Sequence, residues 1–167
     1  MSHQVDREIN AEQEVFKSER IEREASFMAQ APIDKVFPLF GPIREMEWAA
    51  GWEPEIIVGA DLQLHTIFKT PSGFAEEPYY LWAITQCLVS DHKIEYTVST
   101  ANRIWFITVA CEPVQDKTKV TVRYRYTSLT PLGNRLNQLA LKEMFAQNLS
   151  DWEEAMNYYL ATGKRLE

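Results

Sequence analysis

The sequence predicts an α+β fold: a curved antiparallel sheet of about seven strands wrapped on a long C-terminal helix, with two short helices after the first strand. Three observations carry this. Residues 53–129 read as consecutive strands separated by short turn signals, the pattern of an antiparallel meander. After Gly133, apolar side chains recur at three- and four-residue spacing to about Thr162, which is an amphipathic helix. Pro32, Gly41-Pro42 and Gly51 cut the segment between the first strand and the meander into two short helical pieces.

The first strand is expected over residues 19–29. Ile21, Ala25 and Phe27 share one parity, Glu22, Glu24 and Ser26 the other, and Arg23 interrupts the apolar face. Pro32 opens a short helix carrying Val36, Phe37, Leu39 and Phe40, and a second carries Ile43, Met46 and Trp48. Further strands are expected at 54–59, 62–69, 78–89, 93–100, 103–112 and 118–128. Pro71-Ser72-Gly73, Ala101-Asn102 and Asp116-Lys117 are among the turns between them.

Two of those turns allow an internal test. A two-residue turn at Ala101-Asn102 sets Tyr96 opposite Ile107 and Val98 opposite Trp105. One at Asp116-Lys117 sets Val109 and Ile107 opposite Tyr124 and Tyr126. Both registers gather Ile94, Tyr96, Val98, Trp105, Ile107, Val109, Cys111, Val122, Tyr124 and Tyr126 on one face. Glu95, Thr97, Thr121, Arg123 and Arg125 fall on the other, together with Ile104 and Phe106. The C-terminal helix presents Leu141, Phe145, Leu149, Trp152, Met156 and Tyr159 in one stripe, and Gly163 ends it. A curved sheet cannot fill its own concave side, so this stripe is expected to close it.

At 167 residues the chain has the size of one domain. We expect a polar N-terminal arm over residues 1–18, with Val5, Ile9 and Phe16 as a thin apolar stripe, and a single ligand-binding domain over 19–163. The formal charge is −7 without a Lys/Arg stripe, which argues against nucleic acid as a partner. No apolar run is long enough to insert into a membrane, and no apolar leader opens the sequence. These features, with only Cys87 and Cys111 as thiols, lead us to expect a cytoplasmic protein, monomeric or homodimeric.

Chemistry-bearing motifs are few. No Cys/His cluster has zinc spacing and no Gly-rich loop cradles phosphate, so neither metal nor cofactor is expected. His65 is the one histidine expected on a strand, off its apolar parity, and reads as partly exposed rather than as a general base. Cys87 and Cys111 lie mid-strand with one strand between them. At about 9–10 Å they are too far apart for a disulfide and read as packed thiols. Arg44, Glu45 and Glu47 read as solvated helix charges, with a cavity rim around Trp48 as the sharper alternative. Glu76-Glu77-Pro78-Tyr79-Tyr80 reads as a polar connection or a lid.

Local wording adds to this. Ala31-Pro32-Ile33-Asp34-Lys35-Val36-Phe37, Pro42-Ile43-Arg44-Glu45-Met46-Glu47-Trp48 with Gly51-Trp52, and Asp151-Trp152-Glu153-Glu154-Ala155-Met156-Asn157-Tyr158-Tyr159-Leu160 resemble an uncharacterised bacterial branch of the SRPBCC superfamily. That superfamily includes START domains, birch-pollen-allergen-like proteins and aromatic polyketide cyclases. The resemblance spans about residues 20–163. It implies a helix-grip fold whose internal cavity binds lipids, sterols, polyketides or other apolar molecules.

The candidate cavity residues are Trp48, Phe68, Tyr96, Trp105, Ile107, Tyr124, Tyr126, Phe145 and Leu149. An aromatic face suits a packed core as well as a pocket. Three tyrosine hydroxyls on one inward face each need a partner, however, and that favours a pocket with polar groups aimed at a ligand. The first functional expectation is therefore non-catalytic binding, transport or sensing of a small hydrophobic, aromatic or lipid-like molecule. A cyclase or dehydratase using Tyr96, Tyr124 or His65 is the second. A protein-interaction module using the arm and Phe106 is the third.

Overall fold

The computed structural model describes residues 16–167. Of the expected arm, residues 1–15, Val5 and Ile9 among them, lie outside the described residues. Ser18 already belongs to the domain edge, its hydroxyl donating to the Ser128 carbonyl at 2.8 Å.

The strands are β1 (Arg20–Ala29), β2 (Glu55–Val58), β3 (Ile67–Phe74), β4 (Glu77–Leu88), β5 (Lys93–Ser99), β6 (Arg103–Val114) and β7 (Lys117–Ser128). All pairings are antiparallel, in the order β1-β7-β6-β5-β4-β3-β2. The strands from β2 to β7 therefore form a meander, and β1 closes onto its last member. The helix α1 (Ile33–Val36) continues as a 3₁₀ turn, Phe37–Phe40, and a second 3₁₀ turn spans Arg44–Glu47. Two helices follow the sheet, α2 (Pro131–Met144) and α3 (Ser150–Thr162).

The β5–β6 register is the expected one, with Tyr96 opposite Ile107 and Val98 opposite Trp105. The β6–β7 register differs by two residues. Ile107 faces Tyr124, Val109 faces Val122, and the turn is Gln115-Asp116. Gln115 takes a positive φ of 59°, which lets the chain reverse one residue earlier than expected. A slip of two preserves side-chain parity, so the apolar face survives the change. All ten residues expected on that face are buried.

Two other boundaries differ. The turn expected at Pro71-Ser72-Gly73 is strand, and β3 reverses into β4 through Ala75-Glu76 instead. Pro71 is tolerated because the ladder shifts register between Pro71 and Phe74, where Gly73 has φ +78°. Residues 62–66, expected as strand, form a loop gathered by the Thr66 hydroxyl, which donates to the Ala60 and Gln63 carbonyls, each at 2.9 Å.

The C-terminal helical segment is interrupted. Thr130 caps α2, accepting from the Gly133 amide at 3.1 Å, with Pro131 in the first turn. After Met144 the chain turns, with Asn148 and Leu149 in the left-handed region at φ 50° and 64°. Two such residues cost on the order of 1–3 kcal/mol each. The turn drives Phe145 and Leu149 into the core, where each contributes roughly 1.5–3 kcal/mol, so burial offsets the strain. Arg23, the residue that breaks the apolar parity of β1, holds this turn. Its guanidinium lies 5.4 Å from the Phe145 ring centroid and donates to Asn148 Oδ1 at 3.2 Å.

The helix α3 docks along the outer edge of β1. Glu153 Oε2 accepts from the Met28 amide at 2.9 Å. Asn157 accepts from the Gln30 amide at 2.8 Å and donates to the Met28 carbonyl at 2.9 Å. Strand polar groups that a neighbouring strand would otherwise satisfy are thus satisfied by side chains.

Candidate ligand-binding cavity

The cavity mouth is built by the segment after Gly41. Asp61 Oδ1 accepts from the amides of Ile43 and Arg44, at 2.8 and 3.1 Å, and holds the second 3₁₀ turn in place. A Cβ at Gly41 would lie 2.4 Å from that same oxygen, so glycine is required for the approach. Trp48 Nε1 donates to the Leu39 carbonyl and Trp52 Nε1 to the Pro42 carbonyl, both at 2.8 Å. Each indole is thereby fixed by a hydrogen bond that leaves its ring free to pack.

Between sheet and helices lies a cavity of about 400 Å³. Tyr96, Ile107, Val109 and Tyr124 form its sheet wall, and Met144 and Trp152 its helix wall. Tyr80, Trp82 and Thr70 close one side. Phe40, Glu45, Trp52 and Glu53 border the mouth. The rings are locked edge to face: Trp52 with Trp82 at 5.3 Å and Trp82 with Tyr96 at 5.7 Å. A second space of about 470 Å³ adjoins it across Tyr80 and Met144, bordered by Phe74, Trp105 and Tyr126.

Tyr96, Tyr124 and Glu45 are among the polar groups that line the first cavity. The Tyr96 hydroxyl donates to the Phe40 carbonyl, tying the sheet to the first 3₁₀ turn. Burial raises its pKa well above the usual phenol value, with the Glu45 charge a lesser cause. Tyr124 is also raised well above that value, by burial first and then by Tyr126 and Glu45, and its hydroxyl, on the cavity wall, makes no hydrogen bond to another described residue. Glu45 likewise has no partner among them, and desolvation alone pushes its carboxyl up to about 8. At neutral pH most of it is the neutral acid.

Beside the second space sits a buried ion pair. Arg103 Nη2 and Nε donate to Glu77 Oε1 at 2.8 and 3.1 Å, and Nη2 also donates to the Tyr80 hydroxyl at 3.0 Å. The Thr100 hydroxyl donates to the other carboxylate oxygen. Both side chains are at most 1% exposed. The guanidinium carbon lies 4.8 Å from the Trp105 ring centroid and 5.5 Å from that of Tyr80.

The candidates from the sequence fall into three groups. Tyr96, Ile107 and Tyr124 border the main cavity. Trp105 and Tyr126 border the adjoining space. Trp48 borders a shallower cleft beside Glu45, and Phe68, Phe145 and Leu149 are core residues that border neither cavity. His65 is not on a strand; it is exposed, at φ 66° in a turn, away from the cavity. Cys87 and Cys111 are free thiols on β4 and β6, with β5 between them. Burial raises both, Cys111 to about 12, which makes it inert at neutral pH. Among the described residues, no three His, Cys, Asp or Glu side chains are grouped to hold a metal, and no helix is long and apolar enough to cross a membrane.

Sequence reasoning missed Tyr80, Trp82 and Met144. Continuing the pairing one strand further would have found two of them. Trp82 faces Val98 and Ile84 faces Tyr96, so Tyr80, Trp82 and Ile84 extend the concave face. Glu77, read as part of a connection or lid, is instead the first residue of β4 and is buried.

A curved seven-stranded sheet closed by a C-terminal helix, with short helices after the first strand, is a helix-grip fold. It is the fold of the SRPBCC (Bet v 1-like) superfamily, and solved structures agree. Norcoclaurine synthase from Thalictrum flavum, in complex with dopamine and hydroxybenzaldehyde, superposes with a TM-score of 0.65 at 13% identity, over 88% of this chain and 90% of that one. Ara h 8.0201 gives 0.61 at 15% identity, over 87% and 99%. DynU16, from the dynemicin biosynthetic locus, gives 0.56 at 15% identity, over 86% of this chain and 48% of its own. No family model matches the chain, and no curated protein does.

Proposed function

We propose that the protein binds a small, largely apolar molecule in the cavity between sheet and helices. The observation that carries this is the cavity of about 400 Å³ walled by rings, into which the partnerless Tyr124 hydroxyl and Glu45 carboxyl bring polarity. Small-molecule sites are mostly apolar cavities of about 300–1,000 Å³ with a few polar groups that set orientation. Burial of apolar area supplies about 25 cal/mol per Å² of affinity before the costs of association, and the polar groups select. Trp105 and Tyr126 serve as the wall of an extension for longer ligands, and Trp48 as part of the entrance. The binding domain spans residues 19–163, joined at its edge by Ser18, and the protein acts in the cytoplasm as a monomer or homodimer.

The test is titration with N-phenyl-1-naphthylamine, a neutral apolar dye whose emission rises on leaving water. Saturable binding that is weakened by Tyr124→Trp, which fills the cavity, supports the reading. Absence of saturable binding refutes it.

Glu45 favours a second reading, an enzyme of cyclase or dehydratase type. A carboxyl near pKa 8 exchanges protons readily at neutral pH, and it stands close enough to Tyr96 and Tyr124 to raise both. Turnover of a poly-ketone substrate that is abolished by Glu45→Gln would distinguish it from simple binding.

A further inference from the structure

We propose that the cavity selects an organic cation: a protonated or quaternary amine carried on a small aromatic or apolar body. This rests on the binding reading above and names its ligand class. Two side chains bordering the cavity are carboxylic, Glu45 and Glu53, and no Lys, Arg or His borders it. The site therefore offers carboxyl groups that can carry negative charge, without an internal counterion. Around that charge stand Trp52, Trp82, Tyr124 and Trp152, whose ring faces attract cations electrostatically. An apolar acid entering the same space finds no guanidinium or ammonium to pair with.

The surroundings of Glu45 make it the anchor. On its own turn, Arg44 is committed to Glu47, with Nε to Oε2 at 2.5 Å. Asp61, packed against the turn, is engaged by two backbone amides. Tyr96 and Tyr124 face Glu45 from the sheet, Glu53 from the mouth and Asp151 from α3 across the adjoining cleft. The two cations of the surroundings, Arg44 and Arg165 (which donates to the Met46 carbonyl), are paired with Glu47 and Glu167, and the other titratable groups named are neutral or acidic, so no ion pair among the described residues supplies the cation that an ionised Glu45 requires. A bound ammonium would supply it and discharge the proton to solvent. Binding of the cation therefore strengthens as pH rises and levels off above about 8.

The experiment uses the full chain and three ligands of one shape. Phenethyltrimethylammonium is a permanent cation, (3,3-dimethylbutyl)benzene its neutral isostere, and 3-phenylpropionate an anion. Each is used to displace N-phenyl-1-naphthylamine at pH 6.5 and at pH 8.5. The cation is expected to displace the dye at least tenfold more effectively than its neutral isostere at pH 8.5, and the anion least of all. That advantage is expected to shrink at pH 6.5 and to vanish in Glu45→Gln, where cation and isostere are compared by direct calorimetric titration. Equal displacement by cation and isostere at pH 8.5, or a cation advantage that persists in Glu45→Gln, overturns the selection while leaving the binding reading intact. A dye that never binds overturns the binding reading and this inference with it.

Discussion

Replacing Glu77 by Leu should be among the most damaging single changes in the molecule, although the residue touches no part of the main cavity. The Arg103 guanidinium is 1% exposed and donates three of its hydrogen bonds to this carboxylate. Its Nη1 is already buried without a partner. After the substitution the charge retains only the Tyr80 hydroxyl and the surrounding rings. Ring faces return about 0.5–2 kcal/mol, which does not cover a buried, unpaired charge. Breaking a buried pair from one side costs about 3–5 kcal/mol. For a domain of this size each kcal/mol lowers Tm by about 2–4 °C, so Glu77→Leu should melt roughly 6–20 °C below the parent. The double change Glu77→Leu/Arg103→Met removes both charges and should recover most of that loss. Thermal melts followed by near- and far-ultraviolet circular dichroism would measure both variants against the parent. A single variant melting within 2 °C of the parent, or a double variant no better than the single, would refute the electrostatic account.

Two further outcomes follow from the cavity. Tyr96→Phe should cost about 1 kcal/mol, because it orphans the Phe40 carbonyl, whereas Tyr124→Phe should leave Tm nearly unchanged, because no bond among the described residues is lost; differential scanning calorimetry of the pair checks this. Glu45 is raised from 4.5 in the unfolded chain to about 8 in the fold, so the folded protein binds the extra proton between those values. Its contribution to stability is therefore highest below pH 4.5, declines as pH rises through 8 and is constant above. The decline is at most about 5 kcal/mol, and less to the extent that cavity water reaches the carboxyl. The difference in Tm between Glu45→Gln and the parent should accordingly widen in favour of the variant from pH 5 to pH 9.

Strand parity made the sheet readable. Alternation in β5, β6 and β7 identified the concave face even where the β6–β7 turn was misplaced, because a two-residue slip leaves every side chain on its side. The interrupted C-terminal segment was not readable. Leu141, Phe145 and Leu149 keep helical spacing through the break, and nothing local marks Leu149 for a left-handed conformation that only tertiary burial sustains. The role of Arg23 was hidden for the same reason, since its partners lie more than a hundred residues away. At the site, the sheet tyrosines were legible from register. Glu45 was visible only as one charge in a cluster, because its lack of a partner is a property of the assembled fold.

The docking of Glu153 and Asn157 onto β1 bears on how the molecule behaves in concentrated solution. A sheet ends in two strands that can recruit a stranger's backbone, and here one of them is occupied by side chains of the same chain. The opposite end is β2, four residues long, opening with Glu55 and leaving its ladder irregularly after Ile56. A terminus that short offers too few backbone groups to template fibril growth. Loosening α3 would uncover the backbone of β1 around Met28, so the helix that closes the concave side of the sheet also guards the end of its longer outer strand.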